Sequence, residues 1–204
     1  MKPKCLIIIS VILTLALSAC GSVPKDKFFR IVYDPPAAPA TGLKTTNYTL
    51  AVDRIKSIPL LRQTNIVYRD SIHQVDVYPF YRWETRPDTM VTDVLIHMFK
   101  AGHVFNRVTE LAHADQTDFV LRGKLIRFEQ VNSPTGTYAE ILLELELVRS
   151  SDRSVVWAET MTKQQPVTEN GVAGLAAAMS QALQDCASQA MKGISDVTAV
   201  TGNK

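Results

Sequence analysis

Cysteine is scarce in this chain, which has three among its 204 residues. Cys5 and Cys20 belong to the N-terminal region, so the body of the chain has only Cys186 and no partner for an internal disulfide. Cys186 occupies an apolar position of a predicted helix. We expect a buried side chain that packs as a small hydrophobe, and the alternative is a reactive thiol or an intermolecular bridge.

The usual sequence signals of catalysis are also missing. The chain has no Gly-rich phosphate loop, no Gly-x-Ser-x-Gly turn and no His-Glu-x-x-His motif. No two of its four histidines have the spacing of three or four that places metal ligands on one helix face; they are His73, His97, His103 and His113. We therefore predict no enzyme, no metal site and no cofactor, although a triad assembled across the fold stays open.

The N-terminus has an apolar run that is too short for a transmembrane helix, which needs roughly 20 residues. Basic Met1–Lys4 precedes this run, which extends from Cys5 to Leu17 and ends in Leu17-Ser18-Ala19-Cys20. That tetrapeptide resembles the lipobox of bacterial lipoproteins. We predict a signal peptide over residues 1–19, cleavage between Ala19 and Cys20, and a lipid on the Cys20 thiol. An ordinary secretory signal is the alternative.

Excess charge is absent from the predicted mature chain. Cleavage removes Lys2 and Lys4 from the 22 basic residues, which then balance the 20 acidic residues. Nothing suggests a basic face for nucleic-acid phosphates, so we predict no nucleic-acid partner. Several acyl chains would hold the N-terminus firmly in a membrane. Gly21 stands where many inner-membrane lipoproteins carry Asp, which favours the outer membrane, facing the periplasm.

The first half of the mature chain is rich in β-prone segments. A first strand is predicted at Phe28–Tyr33, followed by a Pro-rich linker through residue 47. Three further strands, expected to be antiparallel neighbours, are predicted at Tyr48–Asp53, Asn65–Arg69 and Gln74–Tyr78. A helix follows over residues 87–101, with Gly102 as its left-handed stop.

The second half predicts a long hairpin, a strand and a closing helix. The hairpin strands are 117–131 and 137–149, with a loop at Asn132–Gly136; a strand at 155–162 and an Ala-rich helix from Val172 follow. Alternation in the second hairpin strand predicts a wet face for Glu140, Glu144 and Glu146, paired across strands with Arg122 and Lys124. The fold class is therefore α+β: one domain with a mostly antiparallel sheet and two main helices on one face.

Aromatic residues and an arginine gather just before the first helix. These candidate partner-contact residues are Tyr78, Phe80, Tyr81, Arg82 and Trp83. Such residue types are enriched in interface hot spots. The alternative is that Phe80 and Trp83 simply pack the sheet against the helix.

The order of several short segments resembles one family. These segments are Phe28–Ile31, Ile58–Leu61, Ile66–Arg69 and Tyr81–Glu84. In that order they resemble the ABC-type transport auxiliary lipoproteins, the PqiC-like family associated with MCE-domain lipid transport systems. The resemblance implies a lipidated N-terminus, first strand and linker at 20–47, an auxiliary lipoprotein domain at 48–197 and a flexible tail at 198–204.

The same resemblance implies a function. The chain would be a non-enzymatic accessory of a transporter for lipids or hydrophobic compounds. Its partners would be an MCE-domain protein with the associated ABC permease and ATPase, and the membrane through its N-terminal lipid. A periplasmic lipid-binding carrier and an envelope assembly factor are the alternatives.

Overall fold

The computed structural model describes residues 24–33 and 43–201. The predicted signal peptide, its cleavage site and Cys20 lie outside the described residues, as does most of the predicted linker. The described residues form nine strands and two α-helices. The strands are β1 (Lys27–Phe29), β2 (Thr46–Val52), β3 (Lys56–Ser57), β4 (Asn65–Ser71), β5 (Gln74–Trp83), β6 (Phe105–Glu110), β7 (Phe119–Ser133), β8 (Gly136–Arg149) and β9 (Val155–Pro166), and the helices are α1 (Pro87–Gly102) and α2 (Gly171–Thr201).

The sheet is organised around β7, its longest strand. On one side, β7, β8 and β9 form two long antiparallel ladders that contain most of the paired residues. On the other side, β2 and β3 pair with the first half of β7, and β4 pairs with its second half. β6 extends the sheet beyond β2, while β5 and then β1 extend it beyond β4. The predicted α+β fold class is confirmed.

The prediction of three antiparallel neighbours is right for one pair only. β4 and β5 form an antiparallel hairpin, but β2 lies between β6 and β7 and runs parallel to both. Parallel strands need a crossover connection, which leaves no local turn signal in the sequence. Here β3 and the 3₁₀ turn at Pro59–Arg62 carry the chain along β7 before β4 begins.

The strand β6 was not predicted. Its buried residues, Phe105 and Val108, are three positions apart, and the two residues between them are exposed. This spacing does not match the period of two by which a half-buried strand is recognised. Other boundaries also differ from the predictions: β1 ends at Phe29 and not at Tyr33, and β5 continues five residues beyond Tyr78 to Trp83. β2 begins two residues before the predicted domain start, and α2 continues to Thr201 into the predicted tail.

The core lies between one face of the sheet and the two helices. Ile141, Leu143, Leu145 and Leu147 of β8 all point into it and are at most 1% exposed. The hairpin β7–β8 turns at Pro134-Thr135, as predicted. Cys186 on α2 is buried, which confirms that prediction, and burial raises the pKa of its thiol to about 12.

Local side-chain contacts stabilise the N-terminal end of α1. Pro87 occupies the first turn, and Asp88 accepts hydrogen bonds from Ser57 Oγ (3.1 Å) and Arg86 Nε (3.0 Å). Burial by itself raises the pKa of Asp88, but the hydrogen bonds from Arg86 and Ser57 outweigh it and hold the pKa below its usual value. The negative carboxylate also suits a helix N-terminus.

The predicted left-handed stop at Gly102 is wrong. Gly102 is the last residue of α1, and the left-handed residue is His103, with φ of 51°. A Cβ at Gly102 would lie 2.7 Å from Met191 Sδ of α2. Gly102 therefore permits the close approach of the two helices. Within residues 24–33 and 43–201, neither helix is long and apolar enough to cross a bilayer.

Candidate functional site

The first described strand places the candidate contact residues beside the N-terminal chain. β1 runs parallel to the end of β5, with Lys27 opposite Tyr81 and Phe28 opposite Arg82. Glu84 N–H extends this pairing by donating to the Phe29 carbonyl at 2.7 Å. We call β1 and residues 78–83 of β5 the tether edge, because the predicted lipid site, Cys20, lies seven residues before β1.

The structure divides the predicted contact residues into two groups. Trp83 is 1% exposed and packs edge-to-face on Phe128, with ring centroids 5.3 Å apart. Its indole Nε1 has no hydrogen-bond partner among the described residues. Trp83 therefore packs the sheet against the core, as the alternative interpretation required. Phe80 is 37% exposed, and Tyr78, Tyr81 and Arg82 are half-buried.

Aromatic rings form a continuous row along this edge. Tyr78 lies between Tyr68 and Tyr81, at centroid distances of 4.7 and 5.4 Å, and Tyr81 meets Phe29 at 5.9 Å. Lys27 Nζ lies 5.8 Å from the Tyr81 centroid, within the range of a cation–π contact. Phe29, Tyr68 and Lys27 were missed as site residues, although Phe29 belonged to a predicted strand, because its register with β5 is a long-range property.

Ion pairs fasten the N-terminal segment to the tether edge. Arg82 Nε donates to Asp26 Oδ2 at 2.6 Å, and Arg82 Nη1 donates to Asn65 Oδ1 at 3.0 Å. Arg30 forms a second pair with Glu84 at 3.0 Å. Arg82 therefore joins the N-terminal segment to both β5 and β4, so a substitution there would disturb the edge as well as its surface.

Two buried serines of α2 hold the chain on either side of residues 34–42. Ser180 Oγ accepts from Val32 N–H at 3.1 Å. Ser195 Oγ accepts from Lys44 N–H at 2.7 Å and donates to the Lys44 carbonyl at 3.2 Å. The two serines are fifteen positions apart, or about 22 Å along a helix. We call residues 30–33 and 43–44, with these contacts, the strap.

An open groove lies between the N-terminal segment and the first turns of α2. Its volume is about 510 Å³, and its walls include Phe28, Val32, Ala173, Ala176 and Ala177. Phe28 and Val32 border it with 64% and 59% of their surface exposed. The small alanine side chains leave the space that makes the groove.

The outer face of the sheet carries a separate charged cluster. Arg69 Nη2 and Arg127 Nη1 donate to Glu140 Oε1 at 3.0 and 2.8 Å, and Arg69 Nε donates to Glu129 at 2.9 Å. Burial raises the pKa of Glu129, although Arg69 opposes the shift. Glu140 is 3% exposed, so the prediction that it is exposed to solvent is wrong, because the arginine side chains cover it.

The other predicted carboxylates behave as expected. Arg122 forms a cross-strand ion pair with Glu146 at 2.8 Å, and Lys124 lies opposite Glu144. Among residues 24–33 and 43–201, no group of three or more His, Cys, Asp and Glu side chains is placed to hold a metal ion. The tether edge instead offers aromatic and apolar contact with cations beside it, which is the chemistry of a binding surface.

Comparison with protein families identifies the chain. The model of the ABC-type transport auxiliary lipoprotein component matches residues 33–190. The chain belongs to this family. The matched span of the auxiliary lipoprotein contains β5, α1 and the strap serine Ser180, while β1 lies before it.

Solved structures share the fold of this auxiliary lipoprotein. Protein XCC0632 from Xanthomonas campestris is 20% identical, with a TM-score of 0.78 over 87% of this chain and 100% of that chain. An uncharacterized protein is 12% identical, with a TM-score of 0.67 over 84% and 99%. Protein CT253 from Chlamydia trachomatis is 6% identical, with a TM-score of 0.54 over 74% and 98%. A comparison with curated proteins found no match.

Proposed function

We propose that this auxiliary lipoprotein is an accessory component of an MCE-type ABC transport system for lipids or hydrophobic compounds. It is held by acyl chains on Cys20, faces the periplasm from the outer membrane, and acts by docking a transporter component. The observation that carries the proposal is the tether edge, where the exposed Phe80 and the half-buried Tyr78 and Tyr81 lie directly beside the N-terminal chain. Membership of the transport auxiliary family supports the transporter as partner.

Anchoring would control where the docking surface lies. Seven residue steps separate Cys20 from Lys27, which span at most about 24 Å when fully extended. β1 then pairs with β5, so the contact residues cannot move far from the acylated end. Confinement to the membrane surface raises the effective concentration near a partner that reaches across the periplasm. Anchoring and docking require no catalytic turnover by this protein.

The docking surface consists of the exposed and half-buried aromatic members of the contact set. Phe80 offers an apolar ring, while Tyr78 and Tyr81 combine ring surface with a hydroxyl group. Aromatic and arginine side chains dominate binding energies at protein interfaces. Arg82 is partly engaged by Asp26, so we assign it to the support of the surface. An MCE-domain protein or its permease is the proposed partner.

A pull-down from crosslinked envelopes tests this function. The full lipoprotein should recover an MCE-domain protein with its permease and ATPase. Phe80→Ser should reduce that recovery, while Val75→Ser is the matched control because Val75 is 46% exposed at the opposite end of the same strand. A Cys20→Ala variant, which prevents lipidation, should also lose the partner. Equal recovery with Phe80→Ser and Val75→Ser would contradict docking at the tether edge.

The open groove favours a second candidate function, a periplasmic lipid carrier. Its volume of about 510 Å³ and the apolar part of its walls, formed by Phe28, Val32 and the alanines of α2, could receive part of an acyl chain. Mass spectrometry of lipids that co-purify with the protein separates the two functions. Stoichiometric bound lipid, beyond the acyl groups on Cys20, would favour the carrier, and its absence would favour docking. An envelope assembly factor would instead recover assembly machinery in the pull-down.

A further inference from the structure

Three of the seven exposed large apolar side chains among the described residues lie on or beside the N-terminal chain. Phe28 is 64% exposed, Val32 is 59% exposed and Phe80 is 37% exposed. Phe28 and Val32 are close in sequence and both border the groove against α2. Single exposed apolar residues are common on protein surfaces, but neighbouring ones of this size mark a contact surface.

The same segment carries an excess of positive charge. Its cations are Lys25, Lys27 and Arg30, and it has one carboxylate, Asp26. Asp26 is paired with Arg82 of β5, and Arg30 is paired with Glu84. The carboxylates near β1 are thus already engaged by arginines. The positive charge that remains, on Lys25 and Lys27, suits an anionic surface. A mixture of cationic and apolar side chains is typical of segments that lie in a membrane interface.

The position of this segment in the chain indicates that a membrane is its binding partner. Eight residue steps separate Cys20 from Phe28, so the Phe28 backbone lies at most about 28 Å from the acylated residue. Pairing of β1 with β5 fixes the segment to the domain. The other exposed apolar residues lie elsewhere in the fold. Ile72 (79% exposed) and Val75 (46% exposed) are near the opposite end of β5, Val155 (48% exposed) begins β9, and Val200 (70% exposed) is at the opposite end of α2.

We propose that Phe28 and Val32, flanked by Lys25 and Lys27, form a membrane-contacting face that enters the interface of the bilayer holding the Cys20 acyl chains. This inference rests on the proposed lipid anchor and adds a second, reversible membrane contact to it. The contact also sets an orientation, with the first turns of α2 towards the membrane and Val200 away from it.

Labelling by a photoreactive phospholipid tests the face. The full, lipidated protein is reconstituted into vesicles of phosphatidylethanolamine and phosphatidylglycerol that contain the probe, and labelled peptides are mapped by mass spectrometry. Peptides that contain Phe28 and Val32 should be labelled, while those that contain Ile72 and Val200 should not. The double variant Phe28→Ser, Val32→Ser should lose the label, and Ile72→Ser, the matched control, should retain it.

The outcomes separate this face from the anchor and from other occupants. If the intact mass shows no acyl groups, both the proposed lipid anchor and the membrane-contacting face are wrong. If acyl groups are present and the Phe28 and Val32 peptides stay unlabelled, the face alone is wrong. Equal labelling at Ile72 or Val200 would also overturn it. A photoreactive amino acid at position 28 that crosslinks in envelopes only to a protein, or only to the acyl chains of Cys20, would overturn it as well.

Discussion

Ser195 connects the chain just before β2 to the closing helix, and its replacement by alanine should weaken the strap. Its Oγ accepts from Lys44 N–H at 2.7 Å and donates to the Lys44 carbonyl at 3.2 Å, and the residue is 1% exposed. Ser195→Ala removes both contacts. A buried polar group left without a partner costs about 1–3 kcal/mol. The expected loss lies at the lower end, because Lys44 is exposed and water can reach its backbone.

A second serine on the same helix provides the control. Ser188 lies on the exposed side of α2. Alanine is the better helix former by about 0.5 kcal/mol, so Ser188→Ala should be neutral or slightly stabilising. Comparing the free energies of unfolding of the two variants removes the effect of helix propensity. The difference that remains, about 1–2 kcal/mol, is the contribution of the strap contacts.

Urea unfolding of the full lipoprotein in detergent measures this difference. For a domain of this size, each 1 kcal/mol lowers Tm by about 2–4 °C, so thermal melts provide an independent measurement. Ser195→Ala should unfold at lower urea than Ser188→Ala, with an unchanged slope. If the two variants unfold at the same urea concentration, the strap contacts do not stabilise the fold.

Three further substitutions test the packing and the charges. Asp88→Asn should destabilise the protein by about 1–3 kcal/mol near neutral pH, where its ion pair with Arg86 is present. Because the pKa of Asp88 is lowered on folding, the wild-type advantage should be complete above the usual aspartate pKa and shrink as the pH falls through the lowered value, which urea unfolding at several pH values measures. Gly193→Ala should cost about 1–3 kcal/mol, since a Cβ there would lie 2.6 Å from Nε1 of the rigid Trp157 ring; a wild-type melt would contradict this. Trp83→Ala should cost about 3–5 kcal/mol because it empties a core site, and a stable variant that had lost only its partner would show that Trp83 is not a packing residue.

Elements with local signals could be predicted from the sequence. The β7–β8 hairpin was recognised because Asn132–Gly136 has turn chemistry and the following leucines alternate with polar residues. The helix α1 was recognised from Pro87 and its apolar spacing. The position of β2 between two parallel neighbours was not predictable, since its pairing depends on segments more than fifty residues away.

The candidate site was predictable in composition but not in exposure. The sequence identified the aromatic cluster, but a bulge in β5 decides which members face outwards. Asn65 of β4 is opposite Arg82, while Val67, two residues on, is opposite Val77, five residues back in β5. Such an irregularity interrupts the simple alternation of faces. The pairing of β1 with β5, which places the cluster beside the tether, is likewise a long-range contact.

Lipidation at Cys20, the domain boundaries and the partner stay predictions. The strap and the tether edge give the anchor a structural consequence, because they hold the N-terminal chain against β5 and α2. A tether without these contacts would not restrict the orientation of the domain relative to the membrane. The contacts of Val32 and Lys44 with α2 restrict that freedom on both sides of residues 34–42.

Site-specific crosslinking in living cells tests docking at the tether edge most directly. A photoreactive amino acid replaces Phe80 in the full lipoprotein, and in a second strain it replaces Val75 at the opposite end of β5. Crosslinked products are identified by mass spectrometry after irradiation. We predict that an MCE-domain protein or its permease is crosslinked at position 80 and not at position 75. No transporter component at position 80, or the same product at both positions, would contradict it.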